Sequence, residues 1–237
     1  MPVLLSLFFV GALCAPALMA RGRGGFAVLA IIPGAAFAWL LTLIPRTLRG
    51  DYYEAGITWV PQLGMNLDIR IDVLSLLLAL IASGVGSVVL FYSWRYFSPE
   101  ASYLGRFGAI FLAFAGAMMG LVTTDNTVAL YIYWELTTIC SFLLIGHYSD
   151  RASSRRAAVQ ALIVTTFGGL AMLAGIAIFG EMEGGSYSLH QLVNAAHAGT
   201  LSPGNPALLA AGIALLLVGA FSKSALIPSV SYTHLTL

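Results

Sequence analysis

Charge is the scarcest property of this 237-residue sequence: eleven Lys and Arg and ten Asp and Glu make up 9% of it, leaving a net charge of +1. A soluble domain carries about 25% charged and about 45–50% apolar residues, whereas this chain is 59% hydrophobic with a mean hydropathy of +0.90. Those values exclude an ordinary soluble enzyme and a disordered chain. They also exclude a nucleic-acid binder, because no basic run exceeds Arg155-Arg156 and a nearly neutral chain attracts no polyanion. Cysteine is almost absent as well. Cys14 and Cys140 lie in apolar runs without metal-ligand spacing, so both read as small core side chains. There is no phosphate-binding loop, no dinucleotide glycine fingerprint and no Cys/His cluster, so nothing in the sequence calls for a metal, a nucleotide or another cofactor.

What the chain does have is apolar length. Residues 1–20, 24–45, 73–94, 105–122, 126–146, 157–180 and 206–228 each approach the ~20 residues that cross ~30 Å of hydrocarbon at ~1.5 Å per residue. The first positive charges, Arg21 and Arg23, follow the first stretch instead of preceding it, which marks a retained span and not a signal peptide. Backbone polar groups cannot stay unpaired in lipid. The expected architecture is therefore all-α, a polytopic transmembrane helical bundle of about seven spans in a cell membrane.

Basic residues in alternate loops set the expected orientation. Loops one, three and five hold Arg21, Arg23, Arg95, Arg106, Arg151, Arg155 and Arg156; loops two, four and six hold Arg46, Arg49 and Arg70. Positive charge stays on the cytoplasmic side, which places the N-terminus outside. The second loop carries short β-prone runs at Tyr52-Tyr53, 57–60 and 67–71, separated by Pro61 and Gly64, and predicts an exterior hairpin with interfacial aromatics. In the sixth loop, Ser188-Leu-His-Gln191 predicts a capping box opening a short helix on the outer membrane surface, with Leu189, Leu192, Val193 and Ala196 on one face. His190 and His197 lack a third ligand and read as a solvated face. Small residues at helix-packing spacing, Gly116 with Gly120, Ala113 with Ala117 and Ala171 with Gly175, predict close helix contacts.

Two charges resist explanation as packing. Glu135 is the tenth residue of the fifth span, about 15 Å from either end at the helical rise. A carboxylate at that depth costs roughly 2.5–3.5 kcal/mol on insertion scales, so it faces the interior and either finds a partner or carries its proton. Tyr131 and Thr138, at i−4 and i+3, are its polar neighbours. Lys223, the sole lysine, is seventeen residues into the seventh span, and Pro228 just beyond it predicts a broken seventh helix. A broken helix beside an ionisable residue is a pattern of ion sites in secondary transporters. A structural ion or hydrogen bond for Glu135 and a snorkelling Lys223 are the alternatives to a proton path.

The stretch Arg70-Ile-Asp72-Val-Leu-Ser-Leu-Leu, then Gly84-Val-Gly86, Tyr92-Ser-Trp-Arg-Tyr96, Asp125-Asn126, Tyr133-Trp134-Glu135-Leu136 and Lys223-Ser-Ala-Leu-Ile-Pro228 resembles the antiporter-like subunits shared by complex I and Mrp-type cation/proton antiporters. The resemblance runs from residue 1 to about 228 and implies that Glu135 and Lys223 are proton-translocating residues. Phe167-Gly168-Gly169 stands where complex I subunits of this type read valine-glycine-aspartate, and Phe-Gly-Gly-Leu-Ala resembles the large Mrp A subunit. The implied role is a subunit of a hetero-oligomeric membrane complex exchanging Na⁺, or another monovalent cation, for H⁺, a transporter and not an enzyme. The family's pattern departs at Leu226, where it has glutamine, and residues 229–237 match nothing in it. The expected division is residues 1–123 as N-terminal helices with the hairpin, 124–228 as the first part of a transport repeat, and 229–237 as a non-native tail on a truncated frame. A proton-translocating subunit of complex I or a membrane hydrogenase, and a passive membrane scaffold, are the competing readings.

Overall fold

The computed structural model describes residues 1–20, 22–60, 65–98, 103–148, 150–201 and 206–224. Seven of its helices are long and apolar enough to cross a membrane, as the apolar stretches predict. In chain order the elements are α1 Pro2–Met19, α2 Gly25–Leu41, α3 Ile44–Thr47, β1 Tyr53–Val60, β2 Met65–Ile71, α4 Val73–Tyr96, α5 Leu104–Thr123, α6 Thr127–Ile145, α7 Ala152–Glu181, α8 Leu189–His197 and α9 Pro206–Lys223. β1 and β2 form the expected two-stranded hairpin. Pro228 and the tail after it lie outside the described residues, so α9 is followed only to Lys223 and Ser224.

The chain forms two compact units, Met1–Gly56 with Ile69–Thr123, and Ile57–Asp68 with Thr124–Leu237. In the first, α1 packs on α5 and α2 on α4. Gly116 of α5 is a close contact with α1: a Cβ there would stand 2.6 Å from Phe8 Cβ, so glycine is what lets the helices meet at that point. Phe8, Phe26, Leu29, Leu40, Leu90 and Leu112 are fully buried. Cys14, expected in the core, instead lies exposed on α1, where its apolar thiol suits lipid as well as it would a core; Cys140 is buried. At the foot of the hairpin, Arg70 pairs with Glu54 and stacks 3.8 Å from the Tyr52 ring centroid, which ties the two strands together.

Several hydroxyl side chains inside the spans are satisfied on their own helix. Ser83 donates to the Ala79 carbonyl at 2.7 Å, Thr123 to Met119 at 2.7 Å and Thr165 to Ala161 at 2.7 Å, each one turn back on its own helix. This is how hydroxyls avoid standing unpaired in hydrocarbon. Large apolar side chains such as Leu13, Val88 and Phe167 project outward, as they do on a lipid-facing surface. Helix α4 starts sharply because Asp72 and Ser75 form a reciprocal capping box, the Ser75 N–H donating to Asp72 Oδ1 at 2.8 Å and the Asp72 N–H to Ser75 Oγ at 3.4 Å.

The second unit holds α6, α7, α8 and α9, with α7 packed on both α6 and α9. Gly175 of α7 would place a Cβ 3.0 Å from the Gly212 carbonyl of α9, so the expected small-residue contact is made there. Helix α7 has 30 residues, about 45 Å at the helical rise, and starts five residues earlier than its apolar stretch. Residues 152–156 are helical too, so Arg155 and Arg156 are the fourth and fifth residues of the helix. The sixth loop folds as expected into α8, but its cap is only half of a box. Ser188 Oγ accepts from the Gln191 N–H at 3.2 Å, whereas the Ser188 N–H goes to Ser186 Oγ at 3.0 Å, and Gln191 Oε1 accepts from that same Ser186 hydroxyl. The apolar face of α8 lines a cavity of about 270 Å³ shared with Leu130, Ile176 and Leu216 of α6, α7 and α9.

Candidate functional site

The polar centre of the second unit is built on α6. Asn126 starts that helix by accepting from the Val128 and Ala129 N–H groups, both at 3.0 Å, which satisfies two of its unpaired donors. From there, Trp134, Thr137 and Thr138 fall at i, i+3 and i+4 on one face. Both threonine hydroxyls donate back to the Trp134 carbonyl, Thr137 at 2.7 Å and Thr138 at 3.2 Å, and both side chains are buried. A single carbonyl and two hydroxyls thus form a compact cluster of oxygens within one turn, a pattern two adjacent threonines can make because each is within reach of the same i−3/i−4 carbonyl.

Lys223, in the last turn of α9, fits into that cluster. Its Nζ donates to Thr137 Oγ1 at 2.6 Å, to Thr138 Oγ1 at 3.0 Å and to the Trp134 carbonyl at 3.2 Å, and lies 4.9 Å from the centroid of the Trp134 ring. An ammonium has three donors, and all three have acceptors here. Glu135 takes a different course. Its Oε1 is buried, has no hydrogen-bond partner and packs against Gly169 of α7. The single ion pair among the described residues is Arg70 with Glu54, so Glu135 and Lys223 occupy adjoining turns of one polar patch without a direct salt bridge. Tyr131, one turn before Glu135, is half-buried and makes no hydrogen bond among the described residues. Thr138 accepts a hydrogen bond from the lysine, and none joins it to the glutamate among the described residues. Thr137 and the Trp134 carbonyl were not anticipated as lysine partners; the repeated Thr137-Thr138 was the available signal.

A second polar cluster joins the ends of several elements of this unit. Asp125 accepts from the His190 N–H at 2.9 Å through Oδ1 and from the Ser188 hydroxyl through Oδ2, so it caps α8 from a distance. Its backbone N–H donates to the Asp68 carbonyl at 2.8 Å, and its carbonyl accepts from the Leu189 N–H at 2.7 Å. The Thr127 N–H and hydroxyl both donate to the Tyr187 carbonyl, at 2.8 and 3.1 Å. Burial, together with the negative charge of Asp125, holds the Asp68 carboxyl above its ordinary range. The adjacent Asp125-Asn126 of the sequence therefore starts two helices at once, α8 and α6. His190 contacts Asn194 through its ring Nε2 at 2.9 Å and His197 is exposed; no group of three or more His, Cys, Asp or Glu able to hold a metal occurs among the described residues.

Two family models match the chain: NADH:quinone oxidoreductase/Mrp antiporter, TM, over residues 124–231, and NADH-Ubiquinone oxidoreductase (complex I), chain 5 N-terminus, over residues 57–107. Over 197 residues the chain is 40% identical to the A1 subunit of the Na(+)/H(+) antiporter of Staphylococcus haemolyticus (strain JCSC1435) and 39% identical to its counterpart in Staphylococcus aureus (strain JH9). These alignments cover 83% of this chain and 24% of each relative, so the chain spans about a quarter of the length of the curated relatives it matches. Among solved structures, the Mrp complex from Dietzia sp. DQ12-45-1b superposes with a TM-score of 0.85 at 29% identity, covering 100% of this chain and 25% of that one. The membrane-bound sulfane sulfur reductase, an archaeal respiratory membrane complex, gives 0.79 at 20% identity over 98% of this chain and 46% of that one, a likeness of fold alone. The chain belongs to the antiporter-like membrane subunits shared by Mrp antiporters and complex I, and within them to the large Mrp-type A subunits, whose N-terminal part it matches.

Proposed function

We propose that this chain acts as the N-terminal part of the large A-type subunit of a monovalent cation/proton antiporter, exchanging Na⁺ for H⁺ across the cell membrane together with other membrane subunits, and that Glu135 and Lys223 lie on its proton path. The observation that carries this reading is the Lys223 ammonium enclosed by three oxygen acceptors of α6, beside half-buried Glu135, whose Oε1 is buried without a hydrogen-bond partner. A structural ion pair would join the two charges. Here each has its own place, so the pair can form and separate as protons pass. The threonine hydroxyls suit both states of the amine: they accept from the ammonium, and after it loses a proton a hydroxyl can turn from the Trp134 carbonyl to donate to the nitrogen.

Support for Na⁺/H⁺ exchange in place of redox-driven pumping comes from the curated relatives, which are Na(+)/H(+) antiporter subunits. In this reading residues 124–228 are the first part of the transport repeat and the N-terminus is outside, with the arginine-rich loops in the cytoplasm. The decisive experiment is Na⁺-dependent dissipation of ΔpH by the complete complex carrying Glu135→Gln. Loss of exchange with assembly intact is expected, and wild-type exchange rejects the proton path.

A further inference from the structure

Gly168 and Gly169 sit side by side in the middle of α7, both buried, and neither has a positive φ. The helix needs no glycine there for its backbone, and glycine is a weaker helix former than alanine. Space is what the pair provides, and it provides it to two different helices. A Cβ at Gly168 would collide with the Ser222 side chain of α9, so that glycine serves helix packing. A Cβ at Gly169 would fall on Oε1 of Glu135, with Glu135 Cδ at 3.2 Å and Trp134 Cδ1 at 3.8 Å. Gly169 thus forms a recess one side chain deep, and the Glu135 carboxylate occupies it.

We propose that Gly169 is a positioning residue for proton transfer: its recess on α7 seats the Glu135 carboxylate away from the Lys223 amine, and so sets the balance between the separated and engaged forms of the pair. The inference rests on the proton-path reading above. Glu135 has two places to go, the recess on α7 or the Lys223–threonine cluster on the next turn of its own helix. In the recess Oε1 has no hydrogen-bond partner, and the indole N–H of Trp134, whose ring borders the same glycine, is also buried without one. No protein hydrogen bond therefore holds Oε1 in the recess, and leaving breaks none. In this chain a methyl group at position 169 would fall on Glu135 Oε1 and drive the carboxyl group out of the recess toward the lysine, favouring the engaged form of the pair.

The test is a double-mutant cycle in the complete antiporter complex, read as ΔpH-linked Na⁺ exchange across a pH series. Gly169→Ala is expected to lower the maximal rate at least fivefold and to displace the pH profile while the complex assembles. Aspartate is one methylene shorter than glutamate and leaves room for the new methyl group, so Glu135→Asp combined with Gly169→Ala is expected to exchange faster than Gly169→Ala alone. A rate for the double variant equal to the product of the two single effects, or an unchanged pH profile for Gly169→Ala, overturns the inference. If Gly169→Ala prevents assembly, the same cycle is read on assembly, where rescue by Glu135→Asp supports the seat and no rescue overturns it. Glu135→Gln measured alongside keeps the two readings apart: wild-type exchange in that variant rejects the proton path itself, whereas loss of exchange with an additive cycle rejects only the role of Gly169.

Discussion

The Lys223 ammonium lies 2.6 Å from the Thr137 hydroxyl. Through it, the lysine that ends α9 is fastened to the turn of α6 that follows Glu135. The contact replaces the direct Glu135–Lys223 bridge that an account based on charge alone would draw. It also separates the surroundings of neighbouring residues: Thr137, Thr138 and the Trp134 carbonyl hold the cation, and Gly169 leaves room for the Glu135 carboxyl group.

Thr137→Val keeps the shape of the side chain and removes the shortest acceptor of the ammonium. A hydrogen bond to a charged group contributes about 1.5–3 kcal/mol, so exchange by the complete complex should fall about tenfold or more. Thr137→Ser, which keeps the hydroxyl, should restore most of it. Equal rates for the Val and Ser variants would show that the hydroxyl does nothing for the lysine.

Glu135→Gln preserves size and hydrogen-bonding capacity but cannot titrate. Exchange should be abolished or strongly reduced while the variant still assembles with its partner subunits, measured by native gel beside the ΔpH assay. Assembly lost together with exchange would assign Glu135 a structural role.

Lys223→Ala should impair exchange, because the site can no longer hold a proton and the three oxygens of α6 lose their shared donor. Lys223→Arg should be tolerated only in part: guanidinium stays charged and cannot release its proton, and its planar fork does not match three convergent acceptors. Full antiport by Lys223→Ala in the complete complex would reject the lysine's role.

Topology is open to cysteine labelling in a background lacking Cys14 and Cys140. Ser188 and Ser154 are poor reporters, since Ser188 bonds to Asp125 and Ser154 to the Ile145 carbonyl. His197 and Ser153 are exposed. A cysteine at position 197 should react with an impermeant reagent from outside intact cells, and one at position 153 only after permeabilisation. The opposite pattern would invert the orientation.

Asp68 provides a pH test outside the membrane spans. Its carboxyl is held above the usual 3.8 by burial and by Asp125, so the folded chain binds this proton more tightly than the unfolded chain. Its contribution to stability is greatest below 3.8 and declines as the pH rises through the folded value. Asp68→Asn removes that decline, so the variant should gain in thermal stability over the parent between about pH 4 and about pH 7. A melting-temperature difference that stays constant over this interval would contradict the assignment.

Much of this protein was written in the order of its residues. The apolar stretches specified seven helices because an apolar run of that length has few alternatives to spanning a membrane. Pro61 and Gly64 between β-prone runs specified the hairpin, and the periodicity of Leu189, Leu192, Val193 and Ala196 specified the apolar face of α8. The rarity of charge also drew attention to Glu135 and Lys223. Tertiary structure decided what those charges touch. Lys223 and Thr137 are 86 residues apart, and no spacing rule indicates that a lysine stem will reach a carbonyl and two hydroxyls on another helix in place of a carboxylate. Gly169 read as a marker of one family branch until α7 packed against α6 and set its missing side chain against Glu135. Local sequence determines periodicity and burial, which are properties of single helices; the partner of a buried charge depends on how helices distant in sequence are rotated and brought together, and packing alone settles that.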